Sequence, residues 1–459
     1  MYLSNRLLKR KKGVFWTMKK TSVVLSTIVL TVGSLSMMAA PAFGASKHQA
    51  RTSSQKVTVT LWSWTPIDTT MQQVVTKIEK KYPNINLQIN IEPHPDYNIA
   101  LKAAAGSGSL PDIIGLPSGS QTQEYRPYLQ SLNSIAVNLW GSKWKTDFPQ
   151  AAITQAQLGN PPKDKNFYML PQETQVLNVW YNKKIFSQLH LSVPKTYQQL
   201  VADAHKISAA GYIPFYQGAT QTNFDTWMFM ELVSQYDLKG MESAATGNGQ
   251  WNTPAMVKAA TVWGQMFTQH VFQAGALGDT QYPTGANLFA AGRVGMITLG
   301  SWWLQESPIS TSPAGLRTMK EYGTFFFPAI APGLKATPPL GGIDFGWGIT
   351  KNAAKSPAVE KATEMVLKEM ISGIGEQESL NQLNDLPAFK GFKPTVTLPS
   401  DVMKLYNWYM REIMVAHNQN IGNPTVEQAL DTNLQAIGAG TETPQQAMDK
   451  VQAVAKSQG

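Results

Sequence analysis

Polar and apolar positions alternate through VTVTLWSW at positions 57–64, predicting a strand whose far end carries Trp62 and Trp64. The pattern then changes to a helical one. Val74, Val75, Ile78 and Tyr82 recur at the spacing of one helix face, and Pro83 ends the run, so a helix is expected over Thr69 to Tyr82. INLQINIE at 85–92 alternates again, Tyr97 to Gly106 is Ala-rich and helical, and SGSLPDIIGL at 107–116 turns into a short buried strand. The order β-α-β-α-β predicts a mostly parallel sheet with helices on its faces. In such sheets a ligand sits beyond the carboxyl ends of the strands, where Trp62, Trp64 and the segment Leu116 to Ser120 fall.

The same alternation of patterns recurs further on. TQVLNVWYN (174–182) is a strand, Tyr197 to Ala210 a helix and YIPFYQG (212–218) a strand, followed by helices over Asp225 to Tyr236 and Pro254 to Gln269. A short helix over Asn287 to Arg293 leads to VGMITLGSWW (294–303), a strand ending in two indoles. A second α/β lobe follows from this pattern. After Pro328 the chain is loop-like through APGLKATPPLGG, then enters DFGWGIT (344–350), a strand with a tryptophan inside it. Glu360 to Ser372, Asp401 to Ala416, Thr425 to Ala436 and the last sixteen residues before Gly459 are helical, the last opened by Thr443 and Pro444 at cap and first-turn positions.

The amino-terminal segment changes the meaning of the net charge. Residues 1–44 hold Arg6, Lys9, Arg10, Lys11, Lys12, Lys19 and Lys20 and no acid, and run into the apolar stretch Val23 to Ala40 and the small residues around Ala42-Phe43-Gly44. From Met18 this has the three parts of an export leader, with cleavage after Ala42 or Gly44 and residues 1–17 as an upstream extension. A membrane anchor is the alternative; Ser, Thr and Gly interrupt the stretch, and it runs directly into a cleavage pattern. Of 39 basic residues the leader takes 7, leaving 32 against 30 acids, a net of +2. No later segment interleaves Lys and Arg runs with aromatics, which excludes a nucleic-acid partner. The absence of cysteine excludes a disulfide framework and a lipid-modified cysteine, so the expectation is a periplasmic or extracellular protein that is not a lipoprotein.

Candidate chemistry is sparse. The six histidines are scattered without ligand spacing, and no serine-hydrolase elbow, phosphate loop or dinucleotide fingerprint occurs, so neither metal nor cofactor is implied. A secreted glycosidase needs only two carboxylates, for which Asp112, Glu173, Asp225, Glu306 and Asp344 are candidates, each equally readable as a cap, turn former or hydrogen-bond acceptor. A carbohydrate-binding adhesin module is a third reading. Among thirteen tryptophans, Trp144, Trp263 and Trp408 lie in helical patterns and read as core, and Trp140, Trp180 and Trp251 read either way. Trp62, Trp64, Trp302 and Trp347 border strand ends with Gly or Ser nearby, where an indole can cover the apolar face of a sugar ring while Gln172, Glu173, Gln175, Asn182, Asp112 or Asp344 satisfies its hydroxyl rim.

VTLWSWT after an export leader, KYPNINLQI, GSLPDIIGL, the run VWYNKKIFSQLHLSVPKTYQQLVADAHKISAAGYIPF, FAAGRVGMITLGSW and GGIDFGWGITKNA together resemble the family 1 extracellular solute-binding proteins of ABC importers, the sugar-binding group that includes maltose-binding protein. The resemblance spans nearly all of the chain after the leader. It implies an α/β, two-lobed periplasmic-binding-protein-like fold with a ligand cleft between discontinuous lobes, one built from 45–174 plus about 335–375 and the other from 175–334 plus about 376–459. Chain crossings are implied near Gln172 to Val176, around Phe327 to Leu340 and after the helix Glu360 to Ser372. Carried over by position, the ligand-binding residues are Trp62, Trp64, Asp68, Asp112 or the loop after it, Gln175 six before the Tyr of YNK, Trp227, Trp302, Asp344 and Trp347. The implied partners are a sugar or short oligosaccharide and the membrane permease of an importer, met by a monomer that is not an enzyme. Gln175 stands where maltose-binding protein has an acid, so the resemblance does not transfer that ligand.

Amino-terminal sequencing of exported protein is expected to begin at Phe43 or Ala45; an intact Met18 terminus in a membrane fraction would reverse the assignment of the leader.

Overall fold

A computed structural model describes residues 56–306 and 320–458, so the leader with its cleavage site lies outside the described residues. The eight main strands are β1 (Val57–Ser63), β2 (Ile85–Ile91), β3 (Ile113–Leu116), β4 (Leu170–Asn182), β5 (Ile213–Tyr216), β6 (Val294–Gly300), β7 (Tyr322–Phe325) and β8 (Leu340–Ile349). They form one continuous ladder in the order β2-β1-β3-β8-β4-β6-β5, with β7 and the two-residue strand Leu386–Pro387 also on β4. β1 pairs parallel with both β2 and β3, β3 meets β8 antiparallel, and β5 runs parallel to β6. Helices cover the faces, as expected where β-α-β crossovers place them there.

β4 belongs to both halves of this ladder. Leu170 to Val176 pair with β8, whereas Leu177 to Asn182 pair with β6 and β7. Its first part packs into a core formed by Val59, Leu61, Val74, Ile78, Phe345, Trp347 and Val366, and its second part into a separate core around Trp180, Trp227, Met228, Trp263, Ile297 and Leu434. A third, smaller cluster under the helix His94–Ser107 contains Tyr97, Leu101, Ile114 and Leu116. After β7 the chain returns from the second core to the first by the loop before β8, and after the helix Pro357–Ser372 it leaves the first core again through residues 374–398.

Helix starts follow local chemistry. Thr253 and Asn423 accept hydrogen bonds from the first-turn amides of Pro254–Thr268 and Pro424–Gly438, each with proline at the first helical position where a missing N–H costs nothing. Differences from the sequence pattern have physical causes. The strand expected over 294–303 stops at Gly300, and Trp303 opens a short helix because its ring is drawn into the second core against Phe289 at 5.5 Å. Trp144 lies in a 3₁₀ turn, edge-on to Phe167 at 5.0 Å. β8 begins at Leu340 rather than Asp344, because Gly342, at φ +134°, occupies backbone space that only glycine reaches easily, with the Gln155 amide where a Cβ would stand. No helix among the described residues is long and apolar enough to cross a membrane.

Glu231 sits in the second core fully buried, with neither carboxylate oxygen partnered in the protein. Desolvation raises its pKa from 4.5 to about 8. The folded state therefore keeps a proton that the unfolded chain releases. That stabilising difference is complete below pH 4.5 and is lost as the pH climbs to about 8. Urea unfolding is expected to show Glu231→Gln flattening the decline by about 1.4 kcal/mol per pH unit across that interval relative to the parent; parallel curves for the two proteins would contradict the buried neutral acid.

Candidate functional site

The ends of β1 and β2 and the turn after β3 open onto a cleft of about 830 Å³, closed on its other side by the helix Thr222–Ala245, the segment Tyr282–Ala290 and the residues following β6. Its position beyond the carboxyl ends of parallel strands is where an open α/β sheet leaves a crevice. Each wall carries aromatic rings, and they come from different cores.

On the first wall Trp64 stands just past the end of β1, edge-on to His94 at 4.9 Å and to Phe345 at 5.8 Å, and tilted against Tyr97 at 5.5 Å. The Tyr97 hydroxyl donates to the Gly115 carbonyl at 2.7 Å, which ties the helix His94–Ser107 to β3 and so fixes the backing of the indole. Burial depresses the His94 pKa to about 4, leaving the ring neutral beside Trp64. Asp68 opens the helix Asp68–Lys81 at the rim, one of its oxygens accepting from the Gln72 amide at 3.2 Å.

On the second wall Trp227 and Trp302 lie 6.0 Å apart at 57°. The Trp302 indole N–H donates to the Tyr282 hydroxyl at 2.7 Å, the Trp227 N–H to the Asn420 side-chain carbonyl at 3.2 Å, and Phe224 packs on Tyr282 at 5.8 Å. Trp302 folds back over Gly300, where any Cβ would fall inside its ring. The wall is joined to the first by Asn420, whose amide donates to the Ser118 hydroxyl at 2.8 Å, and by Ser120, whose N–H donates to the Ile421 carbonyl at 2.8 Å and whose hydroxyl donates to Glu427.

Gln175 of β4 and Asp344 of β8 form the floor. Beneath them Glu173, Asp385 and Glu376 are buried with their pKa values pushed well up, first by desolvation and then by neighbouring carboxyls: Asp344 acting on Glu173, Asp344 and Glu173 on Asp385, and Glu173 on Glu376. Burial and the neighbouring carboxyls thus favour the protonated form of all three. Asn384 donates to Glu173 and, at 3.0 Å, to the Thr65 hydroxyl, linking the crossing strand to the cleft's first wall.

Of the residues expected from the sequence, Trp64, Asp68, Gln175, Trp227, Trp302 and Asp344 line this one cleft. Three do not. Asp112 lies at the opposite, amino-terminal end of β3, where its carboxylate accepts from the Thr60 N–H at 2.8 Å and the Thr60 hydroxyl at 2.7 Å and braces two strands. Trp347 is wholly buried in the first core, edge-on to Phe345 at 5.4 Å and donating to Gln172, because it sits inside β8 and not at its end. Trp62 is still within β1 and packs into the cluster under the helix His94–Ser107. Sequence reading also missed Glu92, His94, Phe224, Tyr282 and Glu427, all of which line the cleft. Glu92 and His94 follow β2 directly, so the strand-end rule reaches them, but Tyr282 lies in an irregular loop with no periodic signal.

Of the acids that a glycosidase reading would use, Glu173 and Asp225 are buried, Asp112 faces away, and Asp344 lines the cleft. The Glu306 side chain lies outside the described residues, and among the other four no pair flanks the space. Two aromatic walls on separate cores over a polar floor are the arrangement of a two-lobed ligand-binding protein.

Residues 62–370 match the model of the bacterial extracellular solute-binding protein family, and the chain belongs to that family. It is a carrier and not an enzyme. A multiple sugar-binding protein of Streptococcus mutans is 23% identical over 316 residues, covering 65% of this chain and 67% of that one. Among solved structures, a chitin oligosaccharide binding protein superposes with a TM-score of 0.70 at 22% identity, over 88% of this chain and 99% of the other. The maltose/maltodextrin-binding domain from Bdellovibrio bacteriovorus, bound to maltotriose, gives a TM-score of 0.68 at 19% identity over 88% and 99% of the two chains. The two-lobed α/β architecture expected from the sequence is the one these structures share.

Gly300→Ala is expected to dislodge Trp302 at a cost of about 1–3 kcal/mol, the range for overpacking, read as a lower unfolding midpoint together with altered indole fluorescence. A variant as stable as the parent, with an unchanged emission spectrum, would mean that the ring does not depend on this approach.

Proposed function

We propose that this chain is the exported substrate-binding component of an ABC importer, taking a sugar or short oligosaccharide in its cleft and presenting it to a membrane permease. The observation that carries the reading is the opposition of Trp64 on one core to Trp227 and Trp302 on the other across a single cleft. An indole covers the C–H face of a sugar ring, and the planar amides and carboxylates between the walls satisfy its hydroxyls. Gln175 is suited to this, since its side-chain oxygen is buried and without a protein hydrogen bond. In this reading the ligand-binding residues are Trp64, Asp68, Gln175, Trp227, Trp302 and Asp344.

The names of the relatives agree in ligand chemistry: multiple sugars, chitin oligosaccharide and maltotriose. The protein acts as a monomer outside the membrane, its leader removed near Ala42 or Gly44. Open and closed arrangements of the lobes exchange by bending at the crossings; a ligand touching both walls favours the closed one, which the permease recognises. No catalytic acid or base is required.

Purified protein incubated with a panel of oligosaccharides is expected to show saturable changes in tryptophan fluorescence without products. Turnover of any sugar would defeat the reading. Trp302→Ala is expected to weaken the bound sugar by more than about 1 kcal/mol, the scale of one aromatic contact, with the circular dichroism spectrum retained; an unchanged Kd would remove Trp302 from the site.

A further inference from the structure

The charge of the cleft is one-sided. Asp68, Glu92, Glu124, Asp344 and Glu427 line it, and no described lysine or arginine does. The imbalance is local, since the chain beyond residue 44 has 32 basic residues against 30 acidic ones. Lys102, outside the lining, pairs with Glu124 at 3.3 Å, taking up part of that one charge at the rim. Among the described residues Asp68 and Glu92 form no ion pair, and the one basic side chain in the described lining, His94, is half-buried with its pKa lowered to about 4 by desolvation. Glu427 is half-buried and accepts from the Ser120 hydroxyl, and its pKa is raised to about 7, by desolvation first and then by Asp431.

An anionic ligand buried here would lose its hydration without meeting a guanidinium or ammonium among the described residues, and it would face carboxylates across low-dielectric walls. A like charge placed in such a site is a strong element of rejection. An ammonium group meets the reverse: carboxylates at the rim and floor, and the faces of Trp64, Trp227 and Trp302 for cation–π contact. A neutral hydroxyl rim is indifferent to the field and needs only the acceptors and donors present.

We infer that the cleft selects saccharides by charge, admitting neutral sugars and those bearing protonated amines and rejecting uronates and sulfated or phosphorylated sugars. This rests on the saccharide reading above and narrows its substrate class. The relatives' names do not supply it; it follows from the acidic lining of this chain.

The test is titration calorimetry of the mature protein with probes matched in linkage and length: cellotriose, the β-1,4 glucosamine trimer and cellotriose carboxylated at C6, then maltotriose and its C6-carboxylated form. In whichever series binds, the carboxylated probe is expected to bind at least about tenfold more weakly than its neutral parent, with the difference shrinking at high ionic strength and in the double variant Asp68→Asn, Glu92→Gln. The glucosamine trimer is expected to bind no more weakly than cellotriose. A carboxylated probe bound as tightly as its parent would overturn the inference while leaving the saccharide reading intact. A discrimination unmoved by salt and by the double variant would also overturn it, by assigning the rejection to shape. Binding of none of the five probes would count against the saccharide reading itself, and the inference would fall with it.

Discussion

One strand carries the two cores, and the burial of its polar centre constrains everything around it. Gln172, Glu173, Thr174 and Gln175 are all buried in β4, in the stretch that pairs with β8 and shortly before the residues that pair with β6. Polar groups removed from water are costly unless partnered, and the first three of these each find a partner in one later segment. Gln172 donates to Ser379 at 3.1 Å, Glu173 accepts from Asn384, and the Thr174 hydroxyl donates to the Leu386 carbonyl at 3.3 Å. The chain therefore has to return through residues 379–386 to complete the crossing. β4 also carries register irregularities between Pro171 and Thr174, and a bulge of this kind concentrates bending and twist at one place. The joint between the cores is thus held tightly sideways and is irregular in the direction along which two lobes swing.

The cleft inherits its form from that joint. Because β4 and β8 supply the floor and the separate cores supply the walls, the aromatic rings on the two sides have no shared support apart from the floor and the contacts of Ser118, Ser120, Asn420 and Ile421. Rotation about the crossings changes the distance between Trp64 and the Trp227–Trp302 pair while the contacts within each wall persist. The rings are preorganised on each side, Trp64 by Tyr97 and Phe345, and Trp302 by the Tyr282 hydroxyl and the space above Gly300. Fixed ring orientations lower the ordering cost of binding.

Most of the fold was legible because strand and helix periods are local properties. β1, β2, β3 and the long helices are recognisable from windows of ten residues, and proline and cap residues mark the helix starts to within a few positions. What failed depended on three-dimensional position. Asp112 is five residues before Pro117, where the cleft lining begins, and so at the wrong end of β3, and Trp347 has a glycine on each side like a ligand-facing indole but stands in the middle of an internal strand. Tyr282 and Glu427 reach the site from segments far apart in sequence, brought together only by the packing of Thr222–Ala245 against Pro424–Gly438. No periodic pattern carries that information.

The floor joins the electrostatics of the cleft to those of the joint. Asp344 lines the cleft, and its charge contributes to raising the carboxyls of both Glu173 and Asp385, which lie in the crossing and in the segment that secures it. The three are consequently not independent sites: neutralising or screening Asp344 from the cleft side lowers the cost of ionising the other two. A cation placed among the buried acids would favour their ionisation, and a further anion in the cleft would add to the influence that Asp344 already has on Glu173 and Asp385. The carboxyls buried in the joint and the acid in the cleft floor therefore form one electrostatic unit, which couples the joint between the cores to the binding site.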